Sequence, residues 1–261
     1  MRYLRLYGYF LRFALSRSMQ FRFDFWFRII MDAWYYVIAI ITYRTIYLHT
    51  DSLGGFNLDQ AMVFIGAFMI IDAIQMTFYS NGIWWIPSYI NKGDMDYYLV
   101  RPVSALFFLS LRDFAVASFI NLLMACGVLA WALHSYPEHI PAWKIAYGAL
   151  LIINGSFLFY MMRMFFIIPS FWTNSGEGMQ HVFFYLREAL ERPDGVFYGW
   201  VRTLLVTAMP FALMASYPTW AMFEDFNPLR LIHIILVTAG IFTIMLLCWR
   251  RGIRAYSSAS S

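Results

Sequence analysis

Hydrophobic residues occur in six long runs along the 261-residue chain, and short polar segments separate them. All but the fifth run exceed the ~20 residues that a helix needs to cross a hydrocarbon core of ~30 Å. The pattern therefore predicts six membrane-spanning helices. They cover residues 25–47, 60–86, 104–133, 143–172, 199–216 and 229–249.

The fifth run differs from the others because it is short and contains Pro210. A proline inside a helix removes a backbone hydrogen bond and bends or breaks the helix. Tyr217, Pro218 and Trp220 follow in a stretch that is still apolar. We therefore expect a kinked fifth helix, followed by an apolar turn or a half-inserted segment.

The first 23 residues have a different pattern, in which polar and apolar positions alternate with a helical period. On a helix, Arg2, Arg5, Arg12, Ser16 and Gln20 fall within about 80° of one another, and apolar residues cover the other side. This predicts a basic amphipathic helix over residues 1–23, lying in the interface of an anionic leaflet. The alternative is an ordinary charged lead-in to the first span.

A compact charged insert, INKGDMDYYLVRP, separates the second and third runs. We expect a short helix here, because Gly93 breaks the preceding segment and Asp94 can act as its N-cap. Asp96 and Arg101 then lie near the helix ends that favour their charges, and Pro102 stops the helix. The insert is either a capped turn between two spans or a helix presented to a partner outside the membrane.

A second polar segment, residues 173–198, is longer than a simple connection. Its amphipathic pattern predicts a helix that ends at Pro193. One interpretation is a helix packed along the membrane surface. The other is a second contact to the same partner, for which Glu177, Arg187 and Glu188 are the candidates.

Composition places the chain among polytopic membrane proteins. Hydrophobic residues make up 61% and charged residues 13%, against about 25% charged in ordinary soluble domains. The net charge of +4 does not indicate nucleic-acid binding, because 15 of the 19 Lys and Arg residues would lie on the N-terminal side of the six spans. By the positive-inside rule, both termini and the insert are cytoplasmic.

Polar residues inside the predicted spans are few, and a charge at that depth costs several kcal/mol unless it is paired or hydrated. Asp72 and Arg163 could pair across the bundle interior and fix the helix register. Alternatively, the polar residues line a path for an amphiphilic substrate, and the sequence leaves both open. The set comprises Asp72, Gln75, Asn121, Asn154 and Arg163.

Sequence motifs for catalysis or metal binding are absent from the chain. There is no H-E-x-x-H, no G-x-S-x-G, no cysteine pair at metal spacing and no G-x-x-x-x-G-K-[ST] phosphate loop. We predict no catalytic residue, no metal site and no cofactor in this chain, so another chain would supply any ATPase. The competing interpretations are an intramembrane enzyme acting on a lipid or peptide, and a non-transporting membrane scaffold.

The order of these elements resembles the permease subunits of bacterial ABC-2 family transporters, within the ABC-2-type exporter superfamily. In that family the first cytoplasmic loop carries G-[ED]-[LM]-D-x-x-L-x-[RK]-P, and the resemblance covers nearly the whole chain. One departure is the short segment 217–227 after the fifth run, so a re-entrant hairpin of the superfamily would be abbreviated here. The matching loop residues are Gly93, Asp94, Met95, Asp96, Leu99, Arg101 and Pro102.

The resemblance implies an all-α fold with an N-terminal elbow helix and six transmembrane helices in a bacterial inner membrane. It implies a half-transporter that pairs with a second copy or a sister permease among the membrane lipids. Two separate ATPase subunits would bind ATP and Mg²⁺, and the loop at residues 88–103 would be the coupling helix seated in them. The substrate implied is an amphiphilic or hydrophobic molecule that is exported, and no nucleic acid is involved.

Overall fold

The computed structural model describes residues 2–18, 22–173 and 176–257. Within these residues the chain is helical and contains no β-strand, apart from one isolated bridge between Leu53 and Phe56. The helices are α1 (Arg2–Ser18), α2 (Arg22–Ile46), α3 (Leu58–Phe78), α4 (Ser80–Trp84), α5 (Ile86–Lys92), α6 (Asp96–Leu99), α7 (Ala105–Leu111), α8 (Val116–Ser135), α9 (Ala142–Ile167), α10 (Gly176–Arg187), α11 (Gly199–Val206), α12 (Phe211–Phe223) and α13 (Pro228–Ala255). Short 3-10 turns follow α9 at Ile168–Phe171 and α10 at Glu188–Glu191.

Five segments are long and apolar enough to cross a membrane, and they lie in α2, α3, α8, α9 and α13. The predicted all-α, polytopic fold is therefore confirmed. Helices α3 and α9 form the centre, with 72% and 78% of their spans buried, whereas α2 and α13 lie at the periphery. Helix α12 packs closely on α9, since a Cβ on Gly155 would lie only 2.4 Å from the Met214 carbonyl oxygen.

The bundle has two ends, which are named here by residues found at each. At the α1 end, α3 stops and α8 starts, and the Ala115 N–H donates to the Thr77 carbonyl at 3.0 Å. At the opposite end, called the Asp194 end, Phe56 precedes α3 and its ring lies 4.1 Å from that of Trp220. Trp220 in turn donates to the Asp194 carboxylate.

Helices α11 and α12 meet at an angle of 85° around Pro210 and form a hairpin. Arg202 of α11 donates to the Asp194 carboxylate at 2.9 Å, and Trp220 of α12 donates to the same carboxylate at 3.1 Å. Because both arms of the hairpin bind the same residue, the hairpin enters and leaves the bundle at the Asp194 end. The prediction of a fifth span over residues 199–216 is therefore wrong.

The hairpin also differs from the apolar turn that was predicted to follow the fifth span. Tyr217, Pro218 and Trp220 do not form an apolar turn, because all three lie within α12. This helix continues through Pro218 and ends at Phe223. The hairpin is re-entrant, and it is built mainly from residues that the hydrophobic pattern assigned to a kinked span.

The actual fifth crossing is α10 with its 3-10 extension to Glu191. Helices α9 and α13 both run from the Asp194 end to the α1 end, where the Phe171 and Trp249 rings lie 5.4 Å apart. The chain must return between them, and α10 makes this return. Near its start Gln180 donates to the Trp84 carbonyl at 3.3 Å, and just beyond its end Gly195 packs against the Gly54 backbone.

Residues 176–191 are therefore not part of a surface loop, and the prediction of such a loop over residues 173–198 is wrong for them. Twelve α-helical and four 3-10 residues extend about 26 Å, close to the thickness of a hydrocarbon core. Hydropathy misses this crossing because Gln180, His181 and Arg187 interrupt its apolar side chains. The helix is stabilised by packing against α9 and by the polar contacts described below.

The second and third crossings are shorter than predicted. Helix α3 ends at Phe78 and α8 begins at Val116, so residues 79–86 and 104–115 are not part of long spans. They fold instead into α4, α5 and α7, whose apolar side chains bury one another at the α1 end. Helices α4 and α7 touch at Gly82, where a Cβ would lie 2.2 Å from the Leu109 carbonyl oxygen.

Cysteine labelling tests this topology directly. In a chain with Cys126 and Cys248 replaced by Ser, we expect Tyr198→Cys and Tyr97→Cys to react from opposite sides of the membrane. Both native side chains are exposed, at 82% and 69%. Leu48→Cys, in the connection at the Asp194 end, should label together with Tyr198→Cys.

The measurement is reaction with a membrane-impermeant maleimide in intact cells and again after permeabilisation. A surface location for residues 173–198 would place positions 97 and 198 on the same side, and would contradict the crossing of α10.

Candidate functional site

The predicted coupling loop, residues 88–103, is anchored to the bundle by buried side chains. Gly93 ends α5 with a φ of 81°, a conformation that glycine adopts without strain. This agrees with the predicted break at that residue. The Met95 side chain is fully buried, and its backbone N–H donates to the Tyr89 carbonyl at 3.2 Å. Leu99 is half-buried against the same core.

The helix in this loop is shorter than predicted. It covers Asp96–Leu99 only, its N-cap is Met95, and no side chain caps it, so the predicted capping role of Asp94 is wrong. Backbone bonds fix the turn instead, since Tyr98 N–H donates to the Met95 carbonyl at 2.9 Å. Asp94 and Asp96 are half-buried, whereas Arg101 and Pro102 are exposed beyond the helix end.

Arg112 ties the loop to the start of α8. Its guanidinium donates to the Tyr89 hydroxyl at 2.6 Å, to the Tyr98 hydroxyl, and to the Asp113 carboxylate at 2.9 Å. Burial raises the pKa of the Tyr89 hydroxyl, while the neighbouring Arg112 opposes that rise. Tyr89 is therefore a neutral hydroxyl at physiological pH. Arg112 therefore joins the loop to the residues that precede α8, in addition to the chain itself.

Helix α1 packs on the same unit. An ion pair and two edge-to-face aromatic contacts hold it against α7 and the residues that precede α8. As a result α1, the coupling loop and α7 form one connected layer at the α1 end. The contacts are Arg17–Asp113 at 3.5 Å, Tyr3–Phe107 at 4.8 Å and Phe10–Phe108 at 5.2 Å.

Asp72 and Arg163 do not form an ion pair. Asp72 pairs with Arg187 of α10 at 2.7 Å, and both side chains are largely buried. Arg163 donates to the Ser80 hydroxyl at 2.9 Å and lies 5.9 Å from the Trp84 ring centre. The partner of Asp72 was misassigned because residues 173–198 were placed outside the membrane.

The other intramembrane polar residues each link two helices. Asn121 of α8 donates to the carboxylate of Asp32 in α2. Gln75 of α3 donates to a backbone carbonyl of α9, and Asn154 of α9 donates to a hydroxyl of α13. These bonds are Asn121–Asp32, Gln75–Ser156 and Asn154–Thr238, the last at 3.2 Å.

Sequence reasoning missed Asp32 and misassigned Arg187. The signal for Asp32 was present, because a carboxylate inside the first apolar run is as unusual as Asp72 in the second. Arg187 was predicted to contact a partner outside the membrane, but it lies inside the bundle. Glu188 is exposed, and the side chain of Glu177 lies outside the described residues.

This arrangement supports helix positioning rather than chemistry. The Asp72 carboxylate is occupied by Arg187, and the Asp32 carboxylate by Asn121. No group of three or more His, Cys, Asp or Glu in residues 2–18, 22–173 and 176–257 could hold a metal ion. These bonds link α3 to α9 and α10, α9 to α13, and α2 to α8.

Comparison with known proteins gives one match. A family model described as ABC-2 family transporter protein matches residues 33–260. No curated protein and no solved structure matches the chain. The matched range includes the coupling loop, the Asp72–Arg187 pair and the re-entrant hairpin, and it begins after α1.

The buried pair makes a prediction about stability. Asp72→Asn or Arg187→Gln alone should destabilise the protein by about 3–5 kcal/mol, because each leaves a buried charge without its partner. The double variant should be more stable than the sum of the two single losses predicts. Arg230→Gln is the control, since the side chains of Arg230 and its partner Glu224 are 46% and 39% exposed and surface pairs contribute only about 0–1 kcal/mol.

The measurement is thermal unfolding of the purified protein in detergent. Strictly additive losses in the double variant would show that Asp72 and Arg187 do not interact.

Proposed function

The chain belongs to the ABC-2 family transporter proteins, and we propose from this that it is the permease subunit of an ATP-driven exporter. It moves an amphiphilic or hydrophobic substrate across or out of a bacterial cytoplasmic membrane. The observation that carries the proposal is the coupling loop, which is rigidly anchored and yet exposed on its outer side. Separate ATPase subunits bind ATP and Mg²⁺ and act on this loop.

The loop has the properties that such a contact needs. Tyr97 and Val100 are 69% and 81% exposed, and Arg101 beside them is exposed as well. On the opposite side of the loop, buried Met95 and the Arg112 bonds join it to the bundle. Movement of an ATPase against this surface would therefore shift α3 and α8 together, rather than deform the loop.

The charge distribution supports a cytoplasmic α1 end. Twelve of the 19 Lys and Arg residues lie there, with six up to Arg28, three around the coupling loop and three in the last turns of α13. Five lie towards the Asp194 end, and Arg163 and Arg187 lie inside the bundle. Fifteen Lys and Arg residues were expected on the cytoplasmic side, and twelve lie there because Arg187, Arg192 and Arg202 are elsewhere. The excess of Lys and Arg at the α1 end, and with it the orientation, is unchanged.

The exposed face of α10 supports pairing of two permeases. His181, Val182, Tyr185 and Glu188 recur at helical spacing and are all exposed in the single chain, Tyr185 at 74%. Polar and titratable side chains on a crossing helix are costly against lipid. This face therefore meets a second permease, or the water-filled path between the two, and its mixture of aromatic and polar groups suits an amphiphilic substrate.

Substitution at the loop surface tests the ATPase contact. Asp96→Ala and Arg101→Ala should each reduce co-purification of a Walker-motif ATPase at least about tenfold, because each removes a charge from the docking surface. Asp51→Ala removes an exposed carboxylate at the Asp194 end and should have no effect. Equal unfolding temperatures of all variants would show that the fold is intact.

The measurement is affinity purification from native membranes in mild detergent, with mass spectrometry of the captured proteins. Absence of an ATPase with the unmodified chain, under conditions that keep related complexes intact, would contradict the exporter proposal and favour the enzyme or scaffold interpretations.

A further inference from the structure

A groove lies between helix α1 and the end of the coupling loop, with a volume of about 570 Å³. We call it the elbow groove. Ligand sites in proteins commonly enclose about 300–1,000 Å³, so the groove can hold part of a small amphiphile. Its walls are Arg5, Leu6 and Tyr9 of α1 on one side, and Arg101, Val103 and Phe108 on the other.

The lining combines an apolar surface with positive charge. Leu6, Val103 and Phe108 supply the apolar part, Arg5 and Arg101 supply two guanidinium groups, and none of the described residues that line the groove carries a carboxylate. The Arg101 guanidinium is held in place, since its centre lies 4.5 Å from the Phe108 ring centre and its Nε donates to the Tyr97 carbonyl at 3.1 Å. The Nη atoms of Arg101 take no part in the bond to the Tyr97 carbonyl.

Two carboxylates line an adjoining groove. Arg101 and Phe108 line both grooves, and Asp94, Asp113, Arg17 and Arg112 line the second one. Asp113 is paired with Arg17 and with Arg112. The positive charge is therefore least compensated on the side of Arg5, where the described lining contains no carboxylate.

The position of α1 places the elbow groove at the membrane surface. Leu4 and Leu15 lie on the apolar side of this helix and are 78% and 52% exposed, which is expected for a helix whose apolar face meets lipid. Its arginines lie where headgroups are found. A molecule in the groove would therefore have its charged part at headgroup level and its apolar part against the chain.

We propose that the elbow groove binds an anionic membrane phospholipid, such as a phosphatidylglycerol. Arg5 and Arg101 bind its phosphate, since guanidinium groups form charge-assisted hydrogen bonds with phosphate oxygens. The first part of an acyl chain packs against Leu6, Val103 and Phe108. Because the groove joins α1 to the coupling loop, an occupied site links lipid composition to the position of that loop.

The test uses two arginines of the same helix. Arg5→Gln and Arg12→Gln remove the same charge and lie seven residues apart on α1, but Arg12 lines neither groove. The purified full-length chain in detergent is titrated with equal amounts of phosphatidylglycerol and phosphatidylcholine, and bound lipids are counted by native mass spectrometry. We expect the unmodified chain and Arg12→Gln to retain phosphatidylglycerol selectively, and Arg5→Gln to lose about tenfold in affinity.

A second variant, Val103→Trp, fills the elbow groove without changing any charge and should also lose the selective lipid. Excess inorganic phosphate should not displace the lipid, because the apolar contacts are part of the site. Equal loss with Arg5→Gln and Arg12→Gln, or equal retention of the two lipids by the unmodified chain, would overturn the proposal. The assay contains no ATPase, so its result is independent of whether an ATPase binds the coupling loop.

Discussion

Arg187 enters the bundle on a helix that hydropathy alone would leave outside it. Helices α9 and α13 run in the same direction, so the chain between them must cross back, and α10 provides the crossing. A guanidinium at that depth is tolerated only if it is paired, and Asp72 of the central helix α3 lies 2.7 Å away. The position of α10, and of everything that follows it, depends on this ion pair.

The re-entrant hairpin follows from the same constraint. Once α10 has reached the Asp194 end, α11 and α12 can fold into the bundle and return, and the buried carboxylate of Asp194 holds both arms. The Asp194 backbone N–H also donates to the Ser216 hydroxyl at 3.0 Å. A Cβ on Gly195 would lie 2.2 Å from the Gly54 carbonyl oxygen, so the two connections at this end approach as closely as glycine allows. At the α1 end, Arg112 connects two segments in the same way, since it joins the coupling loop to the residues that precede α8.

Much of this could be predicted from the sequence, and the errors have physical causes. The all-α fold, the break at Gly93 and the importance of intramembrane Asp72 follow from apolar runs, glycine conformation and the cost of buried charge. The fifth crossing could not be found in that way, because a helix stabilised by polar contacts inside a protein has the pattern of a surface helix. The hairpin around Pro210 has the pattern of a kinked span because its side chains are apolar, although it does not cross the bilayer. Likewise, the apolar residues of α4 and α7 bury one another, which composition cannot distinguish from burial in lipid.

A map of the permease in a lipid nanodisc, determined by electron cryomicroscopy at a resolution that separates side chains, tests the central claim most directly. We predict that residues 176–191 cross the bilayer with Arg187 against Asp72. We also predict that residues 199–223 enter and leave from the side opposite to the coupling loop. Density for 199–223 that spans the whole bilayer, with 176–191 lying along the membrane surface, would contradict it.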